Sequence, residues 1–210
     1  MSTAAMRVRR LRLGPLSAGM LLTAAEFNRA RFEEGWRYEL INGVLVVSPF
    51  AARNERHPND ELGYLLNSYK ENHSQGSALD VTLYEETLEC GENRRRADRV
   101  IWVGLGRLPE PGEPPAIIVE FVSAGKVDQD RDYVAKRAEY RALGAREYWV
   151  IDRFRRCLTV YVFSPDRDEE RLIPENQTYS TPLLPGFELP LARLFKLADH
   201  WAKKRRRRSG

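Results

Sequence analysis

A-I-I-V-E-F-V-S, residues 116–123, is an apolar run broken by one acid, Glu120. Its length and its Ile and Val content make it a strand, and a carboxylate in such a run is costly to bury unless a cation or hydrogen bonds compensate it. Just upstream, R-R-R-A-D-R-V-I-W-V (94–103) is a second strand-like run with an acid, Asp98. The connection G-L-G-R-L-P-E-P-G-E-P-P (104–115) is too rich in turn residues to be a helix. Adjacent strands would therefore bring Asp98 and Glu120 together, and a helix bearing Lys136 follows directly.

The flanking elements extend the pattern in both directions. Thr23 with Glu26 three places on is a capping box, predicting a short helix to about Glu34. R-Y-E-L-I-N-G-V-L-V-V-S-P (37–49) reads as two strands around Asn42-Gly43, a strong hairpin signal. Pro58 suits the first turn of a helix to about Asn72, with Leu62, Leu65, Leu66 and Tyr69 on one face. Residues 78–88 read as a strand closed by a C-G-E-N turn. After Ser123 the loop A-G-K-V-D-Q-D leads to a helix over about 130–143, with Gly144 just past its end. E-Y-W-V-I-D and C-L-T-V-Y-V-F are strand-like, joined by a turn at Arg153–Arg156. Residues 164–189 read as loop, and a last amphipathic helix starts near Leu191. The expected fold class is α/β (α+β), a mixed central sheet flanked by helices with an N-terminal β-hairpin. Residues 1–20 are expected to be a flexible leader, 21–202 a single domain and 203–210 a basic tail.

With 210 residues, 42% of them hydrophobic and 30% charged, the composition is that of an ordinary globular protein. No apolar run approaches the roughly 20 residues that span a bilayer. Gly14, Pro15, Ser17 and Gly19 interrupt the apolar patch near the start, so no signal peptide is expected. Cys90 and Cys157 have no metal-type spacing and read as reduced thiols, which places the protein in the cytoplasm. The net charge of +4 belongs to the chain ends. Six of the 34 basic residues lie in 203–208, leaving 28 against 30 acids, and setting aside Arg7, Arg9, Arg10 and Arg12 leaves 24. Such a tail can attract nucleic acid by counterion release or simply stay solvated.

Acids crowded together without a cation repel, and some take up protons. A hard divalent cation resolves the conflict, and Mg²⁺ characteristically takes one or two carboxylates and keeps water on its other positions. A nearby lysine can then stabilise charge on a phosphate. The chemistry this suggests is metal-assisted phosphodiester hydrolysis.

In these residues the chain resembles the Uma-two family of restriction endonucleases, within the PD-(D/E)XK nuclease superfamily. The matching pieces are Y-E-L-I-N-G-V-L-V-V-S-P, R-A-D-R-V, P-P-A-I-I-V-E-F-V-S, D-Y-V-A-K-R-A-E-Y and G-A-R-E-Y-W-V-I-D, and the likeness runs from about Leu22 to Pro190. The resemblance implies a restriction-endonuclease-like core and a Mg²⁺-dependent (or Mn²⁺-dependent) endonuclease acting on nucleic acid, with DNA the expected substrate. It further implies that Asp98 and Glu120 are the metal-binding acids, that the backbone carbonyl of Phe121 completes the site, that Glu39 is an additional acid, and that Lys136 is the catalytic lysine. Two positions depart from the superfamily pattern. Ala97 stands where the proline is usual, and Val122 stands where the lysine is expected, two places after the second acid. A cutter of both strands needs two active sites or two sequential nicks, which admits a homodimer.

Blander readings stand beside these. Asp98 could pair with a neighbouring arginine, and Glu39 could face solvent in its hairpin. Lys136 could form an i,i+4 surface pair with Asp132. Tyr140 and Trp149 read as core, Asp152 as a turn former, and Ser123 and His57 as family-matching positions that strand ends and caps also explain. His57, His73 and His200 lack zinc spacing. The alternative to an enzyme is a catalytically inactive nucleic-acid or protein interaction module that keeps the fold.

Overall fold

The computed structural model of the chain describes residues 10–123 and 129–206. The first part of the expected leader, residues 124–128 of the expected loop and the last four tail residues lie outside the described residues. These fold as two compact units, Met1–Phe50 with Gly91–Arg96, and Ala51–Cys90 with Ala97–Gly210. Among the described residues no helix is long and apolar enough to cross a membrane.

In the first unit, β1 (Arg12–Leu13) pairs in parallel with β2 (Arg31–Phe32). Residues 12–17, part of the expected leader, are thus in regular structure, because Leu13 is buried with Phe27, Tyr38, Leu40 and Leu45. Helix α1 (Ala24–Arg29) starts at the expected capping box: Thr23 Oγ1 accepts the Glu26 N–H at 3.2 Å and Glu26 Oε2 accepts the Thr23 N–H at 2.8 Å. It stops well short of Glu34, since Ala30 turns extended and the chain enters β2. The hairpin of β3 (Trp36–Ile41) and β4 (Val44–Pro49) turns where expected, with Ile41 opposite Val44. Asn42 and Gly43 take φ of 50° and 77°, the left-handed pair that a two-residue hairpin turn requires.

The second unit opens with α2 (Arg53–Asn72), followed by β5 (Leu79–Cys90) and β6 (Asn93–Val103), whose first four residues belong to the first unit. Then come β7 (Ile117–Phe121), α3 (Gln129–Leu143), β8 (Glu147–Asp152), β9 (Cys157–Val162), β10 (Glu169–Pro174), β11 (Thr178–Tyr179), β12 (Leu189–Pro190) and α4 (Leu191–Arg206). Helix α2 begins five residues before Pro58, which sits in its second turn, buried beside Phe195 and Ala198 of α4. The sheet order is β10-β9-β8-β7-β6, with β5 also paired to β6. β7 and β8 run parallel; β6–β7, β8–β9 and β9–β10 are antiparallel. Strand β10 is an edge whose E-E-R-L-I-P is exposed except at Ile173, so it carries no apolar alternation and reads as loop in sequence.

The alternation along β7 assigns the two faces. Ile117, Val119 and Phe121 pack with Leu62, Leu66, Leu194 and Phe195 of α2 and α4. Ile118 and Val122 pack with Tyr140 of α3 and with Tyr148 and Val150 of β8. Coverage on both faces is why the strand reads as one continuous apolar run. Glu120 lies on the α3 face.

Candidate active site

The register that pairs Arg99 with Val119 and Val100 with Ile118, carried one step further, sets Asp98 opposite Glu120. Directly opposed residues of antiparallel strands share a face, with Cβ atoms about 4.5–5.5 Å apart. Both acids are buried, Asp98 at 6% exposure and Glu120 at 5%. Asp98 Oδ2 accepts the N–H of Phe121 at 2.7 Å, tying the acid to the strand that carries its partner.

Helix α2 fastens the backbone around Asp98. Asn59 donates from Nδ2 to the Asp98 carbonyl at 2.9 Å, while its Oδ1 accepts Arg99 Nε at 2.7 Å and its carbonyl accepts Arg99 Nη2 at 2.9 Å. Thr82 Oγ1 accepts Arg99 Nη1 at 3.0 Å. Burial pulls the Arg99 pKa down to about 10, against the pull of Asp60. Gly63 makes room for this guanidinium: a Cβ there would lie 2.6 Å from Nη2.

Helix α3 supplies the compensation for Glu120. Lys136 Nζ lies 3.0 Å from Glu120 Oε1, and Tyr140 donates its hydroxyl to the same oxygen at 2.7 Å. The i,i+4 spacing places both donors on one helix face. Lys136 is 4% exposed, so the surface-pair reading fails for it. Tyr140 is core, as expected, and also a donor to the acid, a role its position in D-Y-V-A-K-R-A-E-Y does not reveal. Val122, where the superfamily lysine is expected, is 1% exposed within the α3-side core.

The other expected residues fall elsewhere. Glu39, half-buried in the first unit, accepts the Arg96 N–H on Oε1 at 3.1 Å. Asp152 accepts the N–H groups of Phe154 and Arg155, the bonds of a turn former. His57 accepts from Trp201 Nε1 at 3.1 Å. Glu147, at 2% exposure, was not singled out in the sequence and shows that burial alone does not mark a site. It accepts from Trp149, Tyr179 and Thr181, three neutral donors that join β8 to the segment around β11. Among the described residues, Glu120 combines a buried acid with a buried ammonium and an opposing aspartate.

Among the described residues no three His, Cys, Asp or Glu side chains group to hold a metal ion. The candidate donors are the two buried carboxylates and, on the family pattern, the carbonyl of Phe121, all oxygen. That set suits a hard cation such as Mg²⁺, which keeps several waters. In their chemistry these residues fit a divalent ion.

Residues 24–192 match the model of a family described as "Uma2: Putative restriction endonuclease". The chain belongs to the Uma2 family. Its fold is shared with the crystal structure of "a putative nuclease belonging to DUF820" from Anabaena variabilis, at TM-score 0.66 and 17% identity over 84% of this chain and 99% of that one. No curated protein matches the chain. The restriction-endonuclease-like fold expected from the sequence is thereby confirmed, and the Uma2 match spans the acid pair, α3 and β8.

Proposed function

We propose that this Uma2 protein is a Mg²⁺-dependent endonuclease that hydrolyses nucleic-acid phosphodiester bonds, with DNA as substrate, in the cytoplasm. One observation carries the reading: the buried Lys136 ammonium reaches Glu120, on the strand opposite Asp98. Asp98, Glu120 and the Phe121 carbonyl would hold the ion, with Mn²⁺ as a substitute. Glu39 is assigned to the same function on the family pattern. When bound, the ion lowers the pKa of its water and draws charge from the scissile phosphate.

The chain's own residues do the rest. Tyr140 fixes the Glu120 carboxylate by a bond to Oε1, and Asn59 fixes the backbone at Asp98. Lys136 holds a positive charge at the acid pair, where a phosphate anion would meet it and where low polarity strengthens the attraction. A homodimer would give duplex cleavage its two sites.

The test is Mg²⁺ or Mn²⁺ calorimetry with parallel cleavage assays, comparing wild type with the pair Asp98→Asn, Glu120→Gln. Cation binding and cleavage that both vanish in the variant support the reading. Cleavage retained in full by Glu120→Gln overturns it. A wild type that neither binds the ion nor cuts DNA or RNA is instead an interaction module.

A further inference from the structure

A hydrogen bond between two rings joins α2 to α4, near the start of the one and towards the end of the other. Trp201 donates its indole N–H to Nδ1 of His57 at 3.1 Å, and the rings meet edge to face with centres 6.2 Å apart. Both side chains are half-buried. One turn before His57, Arg53 sits 5.2 Å over the Trp201 ring. In the sequence Trp201 stands just before K-K-R-R-R-R, residues 203–208, so the bond holds the point from which the basic run departs.

A ring nitrogen accepts a hydrogen bond only when it carries no proton. This bond therefore requires neutral His57, with its proton on Nε2. In the imidazolium both nitrogens donate, so Nδ1–H would face the indole N–H, donor against donor. The new charge would also stand at i,i+4 from Arg53, which lies over the same indole.

Charges of both signs surround the ring. On α2, Arg53 and Arg56 oppose a further cation, while Asp60 and Glu61, three and four places on, attract one. Glu61 is ion-paired with Arg193 of α4, and Asp60 acts on Arg99. Elsewhere on α4, Lys196 is exposed, Asp199 is bonded to Arg156, and the His200 ring lies 5.8 Å from that of Trp201. From the β8–β9 turn, Arg153 lies 3.9 Å from Glu55. Whichever of these groups prevails, a proton on Nδ1 removes the acceptor that Trp201 uses.

We propose that His57 is a pH-sensitive latch: neutral, it seats Trp201 and the end of α4 against α2, and protonated, it lets them go. The latch does not depend on the nuclease reading.

The chain has three histidines, His57, His73 and His200, so a change between pH about 8 and about 5 can be traced by replacement. The test is tryptophan emission and acrylamide quenching of the full-length protein over that range. As pH falls, the wild type is expected to shift its emission to longer wavelength and to become more open to acrylamide. His57→Asn keeps an oxygen acceptor near the place of Nδ1 but takes up no proton, and it is expected to hold the alkaline-side spectrum throughout. Trp201→Phe is expected to lose the change, because Trp102 and Trp149 are buried and Trp36 belongs to the other unit. His200→Asn is expected to keep it. An unchanging wild-type spectrum, the same change in His57→Asn or Trp201→Phe, or its loss in His200→Asn overturns the latch. Should His57→Asn not fold, His73→Asn and His200→Asn decide: the change kept in both assigns it to His57, and its loss in either overturns the latch.

Discussion

Lys136 and Tyr140, one turn apart on α3, both donate to Oε1 of Glu120, at 3.0 and 2.7 Å. A cation and a neutral hydroxyl thus share one buried carboxylate oxygen, so the two substitutions that remove them should behave differently.

Removing the cation takes away the ammonium that balances a buried acid. Lys136→Met is expected to cost about 3–5 kcal/mol of unfolding free energy, the range for breaking a buried pair. Tyr140→Phe loses one bond to a charged group and is expected to cost about 1.5–3 kcal/mol. Urea denaturation of both, each also made with Glu120→Gln, completes the check. In the Glu120→Gln background the Lys136→Met penalty should shrink markedly, and an unchanged penalty would mean that the lysine is held by something else.

Gly63 lies inside α2, where glycine is ordinarily the poorer choice by about 1 kcal/mol. Alanine there would meet Arg99 Nη2 at 2.6 Å, and that guanidinium is pinned by Asn59 and Thr82. Gly63→Ala should therefore destabilise the protein despite its better propensity. Because the displaced clamp also holds the Asp98 carbonyl, the same variant should lose cleavage activity. A gain in Tm would show that Arg99 yields freely.

Tyr179 donates to the buried Glu147 at 3.0 Å, and burial together with that carboxylate pushes its pKa well above the ordinary 10.0. Above that ordinary value the unfolded chain releases the phenolic proton while the native state keeps it. The native state then binds more protons, and stability falls as pH rises. Urea midpoints should drop as pH rises above the ordinary 10.0, and the drop should be smaller in Tyr179→Phe. An identical drop in both proteins would assign the loss to other groups.

What the sequence made legible follows from how local each signal is. The Asn42-Gly43 turn and the Thr23 box are closed within a few residues, and both stand where expected. The end of α1 was not legible, because it is decided by pairing with Arg12–Leu13, far off in the chain. The start of α2 was hidden by Pro58, whose preference for a first turn gave way to packing against α4. Within the site, an acid in an apolar run announced Glu120, and the family's order of motifs placed Lys136. Asn59 was silent: an asparagine in a helix gives no hint that it holds two points on a neighbouring strand. Tyr140 looked like core because it is core, and a hydroxyl's target does not show in hydrophobic periodicity.

The absence of a lysine at Val122 has a consequence for how the site comes into being. A strand that carried both acid and lysine would hold them in fixed relation as soon as it was paired. Here the ammonium and the phenol arrive together on α3, so both of these bonds to Glu120 form only when that helix docks. Any opening that lifts α3 takes two donors away from a buried carboxylate, and this binds the helix's seating to the integrity of the acid pair. For the proposed nuclease, assembling the acid–lysine site and seating α3 are a single event.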